Sequence, residues 1–140
     1  MKVNSRINKC NILDIPMIND DRGNLSFIQN PEHIPFEIAR IYYLYNVPSN
    51  KNRGSHAHKK LSQLIIAISG SFDVTINDGI NKKKIRLNDA SKGLYICPMI
   101  WRDLNNFTED AVCMVLASHK YDQDDYIHDF NSFLNQVKIA

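Results

Sequence analysis

The sequence holds little that would tie it to a nucleic acid, a membrane or a disulfide scaffold. Its three cysteines, Cys10, Cys97 and Cys113, are odd in number and show no C-x-x-C spacing, which argues against a cross-linked framework and against structural zinc. Cys97 and Cys113 lie among apolar neighbours and are expected in the core. Seventeen basic against fifteen acidic residues leave a net charge of +2, too small for a field that would gather nucleic acid or anionic lipid, and neither partner is expected. The short run Lys82–Lys84 reads as a solvated strand face. No stretch approaches the ~18 apolar residues that a membrane helix needs. Met1–Asn11 is polar and lacks an apolar segment of signal-peptide length, so a cytoplasmic location is expected. Repeats, low-complexity tracts and long linkers are also missing, and residues 1–140 read as a single domain.

Short β segments fill most of the chain. Ala39–Asn46 is rich in aromatic and β-branched residues. Leu64–Ser69 is a continuous apolar run of strand length, stopped by Gly70. Ser71–Asn77 alternates strictly, placing Phe72, Val74 and Ile76 on one face. Asn77-Asp78-Gly79 predicts a tight type I′ hairpin returning along Ile80–Leu87. Gly93–Cys97, Ile100–Phe107 and Ala111–Ser118 complete a set of seven or eight strands, which predicts a mainly β sandwich or barrel. From Asp124 onward, Tyr126, Phe130, Phe133, Leu134 and Val137 recur at helical spacing behind Asp122 as a cap, predicting one C-terminal helix.

The segment Arg53-Gly54-Ser55-His56-Ala57-His58-Lys59-Lys60 carries the densest chemistry. On a strand, His56 and His58 share one face and Ala57 takes the other. Two imidazoles inside a β barrel are costly unless they are hydrogen-bonded or used. Read alone, the pair is also compatible with incidental exposed histidines near a loop. Tyr42 supplies a phenol for proton donation. Arg22, Arg40, Arg53 and Arg102 each have a plain reading as surface charges. Together they favour an anion such as a diphosphate, whose oxygens match the guanidinium fork. Trp101 is equally suited to stacking on a base or sugar and to filling the core.

The G-x-H-x-H stretch, followed by strands and a Gly93-to-Pro98 turn, resembles the cupin pattern: a double-stranded β-helix, or jelly-roll barrel, here with a C-terminal helix. Metal-binding cupins continue to a Glu and a further His. The matching positions here hold Gln63 and approximately Asp103, so no metal is expected, although a two-His-one-carboxylate set with Asp103 remains the metal alternative.

Several blocks in shared order extend the resemblance: Ile34-Pro35-Phe36, Arg40-Ile41-Tyr42-Tyr43, the His56–His58 segment through Leu61, Gly93-Leu94-Tyr95, Trp101-Arg102, Val115–Ser118 and Tyr121–Ile127. In these the chain resembles the WxcM-like nucleotide-sugar 3,4-ketoisomerases. The resemblance implies a homodimer, often with an N-terminal strand exchanged between subunits, that needs no metal or other cofactor. The implied substrate is dTDP-4-keto-6-deoxyglucose, converted through an enediol to a 3-keto sugar for the 3-amino-3,6-dideoxy sugars of surface glycans such as lipopolysaccharide. It implies His56 as the base, with His58 and Tyr42 beside it. Arg22 and Arg102 fall where relatives vary and face the sugar; Arg at both positions matches neither known combination, leaving the C4 configuration of the product open. Arg40 and Arg53 are the candidates for the diphosphate. An unperturbed imidazole, with a pKa of ~6.5, would lose activity below about pH 6. The alternatives are a nucleotide-sugar 3,5-epimerase on the same scaffold, or a non-catalytic sugar-binding cupin.

Overall fold

Short runs of β-branched and aromatic residues broken by turns favour strands, and the computed structural model, which describes residues 5–139, contains twelve of them among those residues. They are β1 (Asn11–Asp14), β2 (Met17–Asp20), β3 (Gly23–Ser26), β4 (Arg40–Tyr45), β5 (Arg53–His58), β6 (Gln63–Ser69), β7 (Phe72–Asn77), β8 (Lys82–Leu87), β9 (Lys92–Ile96), β10 (Trp101–Asn105), β11 (Val112–Ala117) and β12 (Tyr126–Ile127), followed by helix α1 (Phe130–Ile139). The first four residues of the polar segment Met1–Asn11 lie outside the described residues.

One antiparallel sheet runs β1-β9-β6-β11-β4 and a second runs β12-β5-β10-β7-β8. From β4 to β7, and again from β8 to β12, each successive strand joins the opposite sheet. This alternation winds the two sheets together into the jelly-roll barrel expected from the sequence. Ile65, Leu94 and Val115 from the first sheet meet Phe72, Val74 and Ile76 from the second in one core, each buried side chain contributing about 1.5–3 kcal/mol. The unbroken apolar run in β6 has its cause in burial on both faces: Ile65 points into the barrel, while Leu64 and Ile66 are covered from outside by Ile15 and Ile34. Cys97 and Cys113 are buried free thiols, as expected, and Cys10 joins them.

Three expectations are corrected. The turn after β7 is a four-residue loop, Asp78–Asn81, with positive φ only at Gly79. It opens wider than a two-residue hairpin because the Asp78 carboxylate accepts from the amides of Ile80, Asn81 and Ile7. The C-terminal helix begins six residues later than the periodicity implied. Asp122 caps only a single 3-10 turn, Gln123–Asp125, and pairing with β5 then draws Tyr126 and Ile127 into a strand. The strand count exceeds seven or eight because β1–β3 and β12, at two to four residues each, are too short to show a period. Helix α1 packs Phe133 over Ala57, Trp101 and Ile127 on the outer face of the second sheet.

Among the described residues the β2–β3 hairpin pairs only with itself, and it is exposed along its whole length. Met17, Ile18 and Leu25 on this arm are large apolar side chains facing outward.

Candidate active site

Strict alternation along β4 turns Arg40, Tyr42 and Leu44 inward and Ile41, Tyr43 and Tyr45 outward. The inward set forms one wall of a cavity of about 440 Å³. His56 from β5, Gln63 from β6, Arg102 from β10 and Tyr126 from β12 add to its polar lining, together with Asn52, Arg53 and Ser55.

His56 is aimed by an irregularity in β5. Gly54 and Ser55 both have positive φ, 87° and 49°, and Ser55 is the extra residue where the register with β10 slips: Arg102 faces His56 and Asp103 faces Gly54. Such a bulge bends the strand and redirects its side chains. It brings the Gly54 carbonyl to the His56 ring, where Nδ1–H donates to it at 2.8 Å. A carbonyl can only accept, so the proton of the neutral ring sits on Nδ1 and Nε2 carries the lone pair. Burial first, then the Arg102 charge, depress the His56 pKa to about 4. The ring is therefore an unprotonated base at neutral pH.

His58 lies behind this layer. It is fully buried, it is not part of the cavity lining, and its ring packs against His56 and Tyr126 with centroids 4.8 and 4.4 Å away. Its Nδ1–H donates to Asp125 Oδ2 at 3.1 Å, and the other oxygen of Asp125 accepts from the Lys60 amide. Burial and the Arg102 charge keep this imidazole neutral as well. Ala57, between the two histidines, packs under α1 on the far side of the sheet, as the two-residue period required.

Arg102 is 1% exposed. Its hydrogen bonds go to the Gln63 side-chain oxygen and the Ile100 carbonyl, and no carboxylate pairs with it among the described residues. Arg40 lies over the Tyr42 ring at 5.1 Å. Side-chain nitrogens of residues that line the cavity are buried without a protein partner: Nε and Nη2 of Arg40, Nε of Arg102 and Nε2 of His56, with Nε2 of His58 in the layer behind. Buried polar atoms are rarely left unmatched; the arginine nitrogens are donors that suit the oxygens of an anion, while the bare His56 Nε2 is an acceptor that suits a hydrogen of the same ligand. Burial raises the Tyr42 pKa against the opposing pull of Arg102 and Gln63, keeping the phenol protonated.

Of the sequence candidates, then, Tyr42, Arg40, Arg53, Arg102 and His56 meet at one cavity, with His58 directly behind. Two do not. Trp101 fills the core under α1, its ring 5.3 Å from Phe130 and its Nε1–H donating to Asp103; the apolar helix face claims it before any base or sugar could. Arg22 sits in the β2–β3 turn, its side chain 85% exposed and paired with Asp20, because the hairpin carries it away from its own barrel. The carboxylate of Asp103 is taken by Ser55 and Trp101, away from the histidine pair that would share a metal with it. Sequence reasoning gave no role to Gln63, Asp125 or Tyr126. The helical spacing puts Tyr126 in a packing stripe, whereas its pairing with β5 turns it to the cavity.

A family model described as FdtA: WxcM-like, C-terminal, matches residues 8–138. The chain is 39% identical over 126 residues, 90% of its length and 91% of the relative's, to a TDP-4-oxo-6-deoxy-alpha-D-glucose-3,4-oxoisomerase from Aneurinibacillus thermoaerophilus. Among solved structures it is similar to a 3,4-ketoisomerase from Helicobacter canadensis, with 43% identity, a TM-score of 0.90, and coverage of 92% of this chain and 97% of that one. It is also similar to a histidine-to-asparagine mutant of the 3,4-ketoisomerase QdtA from Thermoanaerobacterium thermosaccharolyticum in complex with TDP-4-keto-6-deoxyglucose, with 38% identity, a TM-score of 0.91, and coverage of 93% and 94%. Sugar epimerases stand much further away, one of them at 16% identity and a TM-score of 0.71, which shows a shared fold alone.

Proposed function

The chain belongs to the family FdtA: WxcM-like, C-terminal, and on that footing we propose that its cavity binds a dTDP-linked 4-keto-6-deoxyglucose and moves the ketone from C4 to C3. The protein is a sugar-nucleotide 3,4-ketoisomerase. The observation that carries the reading is the ring of unmatched nitrogens from Arg40, His56 and Arg102 around one cavity, with a neutral imidazole lone pair among them.

The C4 carbonyl acidifies the hydrogen on C3. His56 Nε2 takes that proton, the C3–H electrons form the C3–C4 double bond, and the carbonyl electrons move to O4. Tyr42 gives its hydroxyl proton to O4 and the buried Arg102 charge faces the developing anion, which produces the enediol. The C3 hydroxyl then returns a proton to Tyr42 while the imidazolium delivers one to C4, leaving the ketone at C3 and both groups as they began. A positioned base is worth ~10²–10⁴-fold and a preorganised donor at the oxygen ~10²–10³-fold. His58, gripped by Asp125, holds the His56 ring from behind. Arg40 and Arg53 receive the diphosphate. None of these roles calls on a metal: Gln63 stands where metal-binding cupins carry a glutamate ligand, and the Asp103 carboxylate is already engaged.

A homodimer is part of the same reading. The self-paired β2–β3 arm exposes Met17, Ile18 and Leu25, and edge strand β4 exposes Ile41, Tyr43 and Tyr45. Each is an unpartnered apolar surface beside unpaired strand edges, and a second copy of the chain would cover both by exchanging arms. Arg22, at the tip, would then reach the partner's cavity. Unbridged thiols fit a reducing, cytoplasmic location. A 3-keto product is a substrate for an amine-transferring enzyme, consistent with synthesis of a 3-amino sugar.

Incubation with dTDP-4-keto-6-deoxyglucose in deuterated buffer, followed by NMR, tests the reading. Deuterium at C4 of a 3-keto product is expected. Label at C3 and C5 of an unshifted 4-ketone would mean an epimerase instead.

A further inference from the structure

The Tyr42 hydroxyl is held by one group alone. Gln63 Nε2 lies 3.0 Å from its oxygen, and no other hydrogen-bond partner reaches it among the described residues. The opposite end of the Gln63 amide, Oε1, accepts from Arg102 Nη1. Arginine can only donate, so the amide has a single workable orientation: oxygen toward Arg102, NH₂ toward Tyr42. The phenol oxygen must then accept from Gln63, and its own proton must point elsewhere. Gln63 and Arg102 are each 1% exposed, leaving no bulk water to blur that choice. Tyr42 borders the cavity, so its free direction is toward whatever the cavity holds.

We propose that Gln63 is a positioning residue: anchored by Arg102, its amide fixes Tyr42 as a hydrogen-bond donor into the cavity. The proposal rests on the ketoisomerase reading, in which Tyr42 lends its proton to O4 and recovers one from the C3 hydroxyl. While the proton is away, the Gln63 N–H faces the phenolate, and the Arg102 cation polarises the amide from behind. This also gives a physical use for an amide where a carboxylate would fit. A glutamate at position 63 could accept from both neighbours, drawing the Tyr42 proton away from the cavity.

The test uses Gln63→Leu, Gln63→Glu, Tyr42→Phe and the double variant Tyr42→Phe/Gln63→Leu in the full chain, assayed with chelator present. Gln63→Leu is expected to lower kcat by ~10–100-fold with KM and TDP affinity within about threefold, as loss of a preorganised donor does. In the Tyr42→Phe background the same change should cost almost nothing, because residues acting through one group are non-additive. Gln63→Glu, though nearly isosteric, should fail to rescue turnover, and it carries the comparison if the leucine variant does not fold. Wild-type kcat in Gln63→Leu or Gln63→Glu, or a loss that persists undiminished without the Tyr42 hydroxyl, overturns the proposal. A second readout needs no turnover: the alkaline ultraviolet titration assigned to Tyr42 by difference from Tyr42→Phe should move to higher pH in Gln63→Leu, and an unmoved midpoint overturns the positioning role. Wild-type protein that leaves C4 unlabelled overturns the ketoisomerase reading instead, while the titration still judges Gln63.

Discussion

At His56 the two ring nitrogens have separate tasks, and each task has a visible cause. Nδ1 is tied to the Gly54 carbonyl, and Nε2 is left bare because burial and Arg102 make its protonation unfavourable. His56→Asn keeps a polar side chain of similar reach but no basic lone pair; it should lose ~10²–10⁴-fold in turnover and keep its affinity for TDP by calorimetry. Near-normal turnover would remove His56 as the base. The acid limb of kcat/KM shifts with the pKa. An unperturbed histidine predicted a fall below about pH 6, whereas a pKa near 4 keeps the base free through pH 5. Turnover measured from pH 7 to pH 4.5 should hold to about pH 5, and a midpoint near 6.5 would show that the imidazole is not desolvated. The same shift sets a sign for stability. The unfolded chain binds a proton at His56 below about pH 6.5 that the folded chain refuses until about 4. Stability therefore declines as pH falls through that window. Denaturation midpoints should show this decline, and it should be shallower in His56→Asn.

Among elements, β5 carries both histidines, and its bulge at Gly54–Ser55 aims the first of them. A Cβ on Gly54 would lie 3.1 Å from Leu104 Cδ1 and 3.2 Å from the Arg102 carbonyl, at a φ of 87°. Gly54→Ala must either strain the backbone, at about 1–3 kcal/mol, or flatten the bulge and withdraw the carbonyl from His56. A drop in kcat larger than the drop in TDP affinity, with a lowered Tm, is expected; unchanged kcat and Tm would mean that the bulge is incidental. The sequence showed the Gly-x-His-x-His spacing and the shared face of the two histidines. It did not show that one would border the cavity and the other lie behind it. That ordering comes from Asp125, 67 residues further along, brought beside β5 by the short strand Tyr126–Ile127. Long apolar or alternating runs such as Leu64–Ile68 and Phe72–Ile76 were legible because burial repeats along them. Four-residue or shorter strands such as β1 and β12 carry too few turns of the period to register.

On the scale of the whole molecule, the site as described in one chain leaves Arg22 unused on a solvent-exposed arm. If the arms are exchanged, each cavity draws His56 from one subunit and Arg22 from the other. Arg22→Ala and His56→Asn, each impaired alone, should then partly complement when mixed and re-equilibrated, since a mixed dimer contains one cavity with both residues intact. Failure to regain activity in a dimer shown by sedimentation to have mixed would place Arg22 outside the partner's site. A monomer at micromolar concentration would dismiss the exchange altogether.

The sequence alone was enough for the mainly β class and for the shared face of the histidine pair, because these depend on residue type and on spacing within a single strand. Arg40 and Tyr42 lie on β4, Arg53 on β5 and Arg102 on β10, and the fold brings them to the cavity that His56 borders. The sequence could not choose between core and ligand for Trp101, nor align Gln63 between Arg102 and Tyr42. Those outcomes depend on which side chain stands across the barrel, and two sheets that alternate strand by strand bring together residues 39 positions apart. Tertiary packing therefore determined which nitrogens lost their partners, which proton could point only one way, and how far the His56 pKa fell.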